Sequence, residues 1–420
     1  MSIVNDFETC FEIRRCCDVI ERYNYKRVGL QLNTSHFQFA RKITRALESH
    51  LTRKVFICTL ADTSYGSCCA DEITAMHLNI DLIIHFGHSC FTQSSRLPVL
   101  YVLPKVPFET QPVIEWLNSD EFRTNEKKCI LFVDDFFYSQ FLDEVLPSCS
   151  KDILLAKIAF HSQPSSFNVN IQDSDCINIF GRILDLRNEL NNQEHSIAFV
   201  GENNSALGAL LMLRFVGFTV KYFDALSSQL LDHGFILSKL QTKRLFLIEK
   251  FRIARRIGVL AGTLTVRKYG EACERARTLI KQSGKRCYTF VIGELTEAKL
   301  GNFPTVDAYV LIACPERTLI GWPEGSYQPV GSLADLEIAC GADWTSGGFD
   351  LDYCSLLSRP LPTSEPIDFD ECDDDVDDER WSGMQFRPCG DQTFTENSVS
   401  DIQPGLDGVP TEYYSAKLYP

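Results

Sequence analysis

The sequence predicts an α/β protein of three similar small αβ domains with parallel sheets, followed by an acidic, flexible C-terminal region. Three observations carry this reading. The chain has 420 residues, and at about 100 to 200 residues per domain that length suits about three domains. Its 45% hydrophobic content is enough to bury a core in each. Short β-branched and aromatic runs alternate with helical patterns, which is the signature of βα units feeding parallel sheets.

Taken in order, the first block, residues 1–120, has expected strands at Arg27–Leu32, Val55–Leu60, Leu82–Phe86 and Val99–Leu103, with helical patterns at His36–Leu51 and Ala70–Leu78. The second, residues 121–235, has strands near Ile130–Val133, Ile153–Ala159, Ile197–Gly201 and Thr219–Phe223 and a helix at about Ser205–Phe215. A connecting helix spans about Ser238–Arg255. The third block, residues 236–360, then has strands at Gly258–Leu264, Tyr288–Ile292 and Ala308–Ala313 with a helix at Gly270–Gln282. The order strand, helix, strand, loop, strand recurs without repeated words, so divergence from one unit is plausible on pattern alone. From Pro360 the composition turns to Pro, Ser and acid, and residues 361–420 read as a largely flexible region.

The net charge of −15 is local. Glu365, Asp368, Asp370, Glu371, Asp373, Asp374, Asp375, Asp377, Asp378 and Glu379 supply ten of those charges with no base among them, leaving −5 for the rest. The run reads as a solvated linker. A mildly acidic body lacks the Lys and Arg that displace phosphate counterions, so direct nucleic-acid binding is not expected. Seventeen Cys are an odd number and too sparse for a disulfide scaffold, so the thiols read as mostly reduced. Met1–Cys10 carries Asp6 and Glu8 without a basic n-region, and no run nears 18 uninterrupted apolar residues. A cytoplasmic protein without membrane association is expected.

Nucleotide-binding and zinc-protease signatures are absent, and Val200-Gly201-Glu202-Asn203-Asn204 reads as a strand-to-helix turn rather than an anion site. The informative segments lie at strand ends, because open parallel sheets bind ligands beyond the carboxyl ends of their strands. One strand runs into Asp62-Thr63-Ser64-Tyr65-Gly66-Ser67-Cys68-Cys69-Ala70-Asp71-Glu72, another into Gly87-His88-Ser89-Cys90, and a third into Cys314-Pro315. Single cysteines of this kind are mostly packing thiols. Several at matched strand ends point instead to a shared soft-metal site for zinc, copper(I) or an iron–sulfur cluster.

These segments, with His85-Phe86-Gly87-His88-Ser89-Cys90 and Ile312-Ala313-Cys314-Pro315, resemble the motifs of the diphthamide synthase family, the 2-(3-amino-3-carboxypropyl)histidine synthases. The resemblance runs from Phe11-Glu12-Ile13 and Lys26-Arg27-Val28-Gly29-Leu30-Gln31 to Glu379-Arg380-Trp381-Ser382-Gly383-Met384. The wording of the first loop and the acidic extension resemble subunit 2 of the eukaryotic heterodimer more than its catalytic subunit 1.

The resemblance implies a pseudo-threefold arrangement of the blocks around a [4Fe–4S] cluster held by cysteines of separate domains. It implies S-adenosylmethionine as cosubstrate of the complex and cleavage of its C–S bond to a 3-amino-3-carboxypropyl radical. The radical attacks a histidine of translation elongation factor 2 in the first step of diphthamide formation. An electron-donor protein and its reductase are implied as further partners.

Catalytic members carry a cysteine where this chain reads Ile179-Phe180-Gly181-Arg182-Ile183-Leu184, and Arg182 has no lone pair for iron. Cys176 reads as a core thiol. The expected ligands are therefore Cys90, Cys314 and one of the neighbours Cys68 and Cys69, with Cys68 preferred and Cys69 the packing thiol of the two. His85 and His88 are candidate hydrogen-bond donors to sulfide, against a bland reading as satisfied strand-end histidines. Asp62 and Tyr65 are expected to shape their loop, and Glu316 and Arg317 to face the cosubstrate pocket or the partner. No residue is assigned a catalytic role. The expectation is an auxiliary subunit that keeps the partner's cluster reduced; the alternatives are a competent radical transferase subunit and a non-enzymatic scaffold whose thiols bind zinc or nothing.

Overall fold

The computed structural model describes residues 7–33, 36–60, 67–92, 96–119, 127–149, 153–158, 177–186, 190–320, 328–344 and 349–362. The acidic run, Arg380–Arg387 and the rest of the expected C-terminal region lie outside these residues, as does Cys176.

Three parallel sheets repeat one strand order. In the first, β1 (Arg27–Leu32), β2 (Phe56–Leu60), β3 (Leu82–Phe86) and β4 (Val99–Val102) lie as β2-β1-β3-β4. The second block starts with β5 (Lys128–Val133) and β6 (Ile153–Leu155). A small antiparallel sheet follows, of β7 (Lys157–Ile158), β8 (Ile177–Ile179) and β9 (Arg182–Leu184). The block then adds β10 (His195–Gly201), β11 (Val220–Asp224) and an antiparallel edge, β12 (Gln229–Leu231), and its main sheet runs β6-β5-β10-β11-β12. In the third block β13 (Arg256–Ala261), β14 (Arg286–Val291), β15 (Ala308–Ile312) and β16 (Val330–Gly331) lie as β14-β13-β15-β16. Counting only the strands of its own sheet, each of the three begins 2-1-3-4. The chain therefore reverses direction between the first and third strands, which opens a crevice at their carboxyl ends.

The central strands are apolar almost throughout because both faces are covered. Val28 and Leu30 of β1 and Leu82 and Ile84 of β3 pack under Ile13, Ile20, Ile43 and Leu47 of the helices Ile13–Arg22 and Ala40–His50. Ile83 joins a second core on the opposite face with Leu131, Phe137 and Val200 of the second block. Each such side chain contributes about 1.5–3 kcal/mol through burial.

Most expected strands are present with ends shifted by at most three residues, whereas the expected strand Ile153–Ala159 divides into β6, which ends at Leu155, and β7, which leaves the main sheet to pair with β9. The third block's first strand begins at Arg256 and stops at Ala261; just beyond it the Thr263 hydroxyl accepts from the Thr265 and Val266 N–H groups and turns the chain. Helices at Ile13–Arg22, Pro315–Ile320, Leu333–Ala339 and Tyr353–Ser358 and the small antiparallel sheet were not expected. The helix His233–Ile253 links the second and third blocks. Its Arg244 is 2% exposed and pairs through Nη1 with Oδ2 of Asp335 at 3.0 Å. Asp335 in turn completes a capping box with Ser332. Among the described residues no helix is long and apolar enough to cross a membrane.

Removing one partner of a buried ion pair leaves the other charge uncompensated. Arg244→Leu is expected to destabilise the chain by about 3–5 kcal/mol, read as a lower urea midpoint with an unchanged slope.

Candidate metal centre

The cysteine loops leave two sheets at their carboxyl ends. Cys68 and Cys69 lie in a turn after β2, Cys90 in the loop after β3, and Cys314 two residues beyond β15. Their sulfurs form a chain: Cys314 to Cys68 at 3.6 Å, Cys68 to Cys69 at 3.9 Å, and Cys69 to Cys90 at 3.5 Å. All four lie within 4.8 Å of one another. The structure thus brings both members of the adjacent pair to the same point. Side chains alternate along an extended strand, but at a turn neighbours can face one way.

Hydrogen bonds hold this turn on every side. Gln31, buried at the end of β1, donates from Nε2 to the Cys69 carbonyl at 2.7 Å, and its Oε1 accepts from the Asp71 N–H at 2.8 Å. The Cys68 carbonyl accepts from the Cys90 N–H at 3.2 Å and from Ser89 Oγ at 3.1 Å. His85 Nε2 donates to the Ser67 carbonyl at 3.0 Å. Burial lowers the His85 pKa, so it serves as a neutral donor in this strand-end role. Tyr353 OH bonds both the N–H and the carbonyl of Ala313, which fixes the backbone before Cys314.

The thiols do not share one protonation behaviour. Hydrogen bonds from Cys314, Cys68 and Cys69, with Thr92 Oγ1 donating at 3.2 Å, hold the Cys90 thiol well below its ordinary pKa. Cys68 and Cys69 are pushed well above theirs, first by hydrogen bonding with Cys314. One thiolate is thus favoured, and further deprotonation calls for a cation among the sulfurs. Four soft donors with few competing groups suit zinc, copper(I) or an iron–sulfur cluster. Hollows border the thiols: about 190 Å³ beside Cys90 and Pro315, and about 10 Å³ beside Cys69 and Thr92. Arg317 donates its N–H to Cys314 Sγ at 3.5 Å, whereas its guanidinium turns away to the carbonyls of Gly262 and Gly293.

His88 joins the blocks beside this site. Its ring meets Asp135 Oδ2 through Nδ1 at 2.8 Å and Glu316 Oε2 through Nε2 at 2.7 Å, and stacks on Phe136. Burial alone would lower the His88 pKa, but the two carboxylates override it and raise it to about 12. Burial raises Glu316, whereas at Asp135 the His88 contact outweighs burial and gives about 2. Glu316 thus faces His88. Arg182, wholly buried at the start of β9, stands over the Phe91 ring at 5.2 Å and bonds the Phe180 carbonyl. Asp62 and Tyr65 lie outside the described residues. Gln31 and Asp135 escaped the sequence reading; each is a polar residue at the carboxyl end of a buried strand, and that was their signal.

Comparisons agree with this architecture. A family model described as "Putative diphthamide synthesis protein" matches residues 35–349. The chain is 31% identical over 373 residues to "2-(3-amino-3-carboxypropyl)histidine synthase subunit 2" of Schizosaccharomyces pombe, covering 87% of this chain and 72% of that relative. It is 31% identical over 375 residues to the Xenopus laevis protein of the same name, covering 88% and 74%. In fold it is similar to Dph2 from Pyrococcus horikoshii, crystallised with a 4Fe-4S cluster, at a TM-score of 0.58 and 20% identity over 86% of this chain and 96% of that one.

His88→Leu leaves two buried carboxylates without their cation and is expected to cost about 3–5 kcal/mol in urea denaturation. A His pKa raised in the folded state stabilises fully below the unfolded value of 6.5, and the contribution is lost as pH rises toward about 12. The difference between native chain and variant should therefore be smaller at pH 9 than at pH 6.

Proposed function

The chain belongs to the diphthamide synthesis family, and on that premise we propose that it is the auxiliary subunit of an iron–sulfur, S-adenosylmethionine-dependent 3-amino-3-carboxypropyl transferase. The complex would modify a histidine of translation elongation factor 2, with catalysis in a partner subunit. The observation that carries this reading is the convergence of Cys68, Cys69, Cys90 and Cys314 from the first and third blocks. The subunit 2 name of the relatives supports a partner, and the cluster of the Pyrococcus protein supports iron–sulfur as the occupant.

The residues present fit such a group: thiolates as ligands, N–H and O–H donors from Arg317 and Thr92 to sulfur, and a buried setting. When bound, a [4Fe–4S] cluster supplies one-electron transfer. In this reading an electron-donor protein with its reductase gives one electron, which passes on to the partner's cluster. The middle block carries Arg182, a side chain with no lone pair for iron, at the segment where catalytic members carry a cysteine, which supports placing catalysis in the partner. The described cysteines carry free thiols, which suits the reducing cytoplasm proposed as its location.

A second reading, a single zinc ion, is favoured by one measurement. Zn–S bonds of about 2.3 Å in a tetrahedron set sulfurs about 3.8 Å apart, near the 3.5–3.9 Å neighbours here.

Anaerobic purification followed by iron, zinc and acid-labile sulfide analysis decides between them. About four irons with matching sulfide per chain and a Mössbauer spectrum of a cubane are expected; one zinc without sulfide would reject the iron–sulfur reading. In cells, Cys314→Ser is expected to lower the modified fraction of elongation factor 2 at least tenfold, measured by mass spectrometry of its histidine peptide.

A further inference from the structure

The linker helix His233–Ile253 is apolar on two opposite faces, and the chain itself covers one of them. Inward, Leu240 and Phe251 join the cores of the second and third blocks, and Arg244, Leu247 and Ile248 are buried. Outward, Phe235 is 73% exposed, Phe246 53% and Ile253 66%. With Lys239, Thr242 and Glu249, all exposed, these three recur at alternating steps of four and three residues, the spacing of a coiled-coil seam. An aligned apolar stripe turned to solvent marks a protein contact.

The order of the six residues selects the occupant. We infer that a second copy of this chain packs antiparallel along this face, the two helices related by a two-fold axis at the level of Arg244. In that register Phe235 meets Ile253 of the second copy, Lys239 meets its Glu249, and Thr242 meets its Phe246. A two-fold contact needs a surface complementary to itself. A foreign partner gives no reason for a lysine and a glutamate to stand at matching distances on either side of one point.

The helix has 21 residues and so offers about 31 Å of seam, packed at the shallow crossing of about 20°. Leu245, 53% exposed, flanks the seam and meets its own copy across the axis. On the other flank Lys243 approaches its own copy, a like-charge contact that weakens the pair and that salt screens. Within the single chain Glu249 meets Arg252, an exposed ion pair of little energy, which leaves it free to turn to the second copy. Lys250 Nζ lies over the Phe246 ring at 5.2 Å from its centroid, and its flexible stem reaches outward from the seam edge. No seam residue belongs to a cysteine loop, so the contact stands independently of what the thiols hold.

The test is sedimentation velocity of the full chain at concentrations up to about 100 μM. A reversible monomer–dimer equilibrium is expected. Lys239→Glu and Glu249→Lys each set like charges opposite one another twice in the dimer, and each is expected to weaken it about tenfold. The double variant exchanges the two charges and is expected to recover the native dissociation constant within about threefold, a recovery that misfolding cannot produce. Phe246→Lys is expected to leave monomers whose circular dichroism matches the native chain. A chain that stays monomeric throughout, a dimer indifferent to both charge changes, or a double variant no tighter than the single ones would each overturn the two-fold pairing. Each variant is also tested for copurification with the partner subunit. Loss of that subunit from the single variants, with no self-association of the native chain, would assign the face to the partner subunit and overturn the second copy as its occupant.

Discussion

His88 stands between two buried carboxylates, and the meeting of the cysteine loops depends on that arrangement. The residues it binds lie 47 and 228 positions further along the chain. Asp135 opens a helix directly after β5, and Glu316 lies two residues past Cys314. Either carboxylate alone would be costly to bury, and one imidazolium shared between them offsets both. The pairing forms only when strands of all three sheets present their carboxyl ends to one another. It therefore couples assembly of the blocks to the geometry of the thiols, because the loop that carries His88 also carries Cys90.

Rigid strands and polar clamps divide the remaining work. The repeated 2-1-3-4 order aims each block's crevice, and the buried strands leave little freedom in where a loop departs. Gln31, Ser89, His85 and Tyr353 then hold backbone rather than sulfur, which fixes the directions of the side chains without competing for a metal. The thiols themselves favour a single negative charge among four groups. Metal binding must therefore release protons, and it stabilises the assembled blocks by the same free energy.

Much of the fold was readable from the sequence for a physical reason. Strands such as Leu82–Phe86 and Ala308–Ile312 are buried on both faces, so they appear as apolar runs bounded by turn residues. The helix Leu333–Ala339 was not readable: it is seven residues long, and its support comes from Arg244, far away in the chain. The antiparallel sheet of β7, β8 and β9 has strands of two or three residues, below the length at which alternation declares itself. Cys68 and Cys69 were separated in the sequence reading because neighbours diverge on an extended chain; a turn brings them together, and nothing local announces how a turn directs two side chains.

Composition and pattern alone determined the α/β class, the mildly acidic body and the presence of cysteines at strand ends, since these follow from burial and from counting. The motifs also carried the family. Tertiary structure alone decided which thiols meet, that His88 serves three blocks, and that Gln31 supports the turn. Those outcomes rest on contacts between residues tens to hundreds of positions apart, and such contacts exist only once the sheets have been placed beside one another.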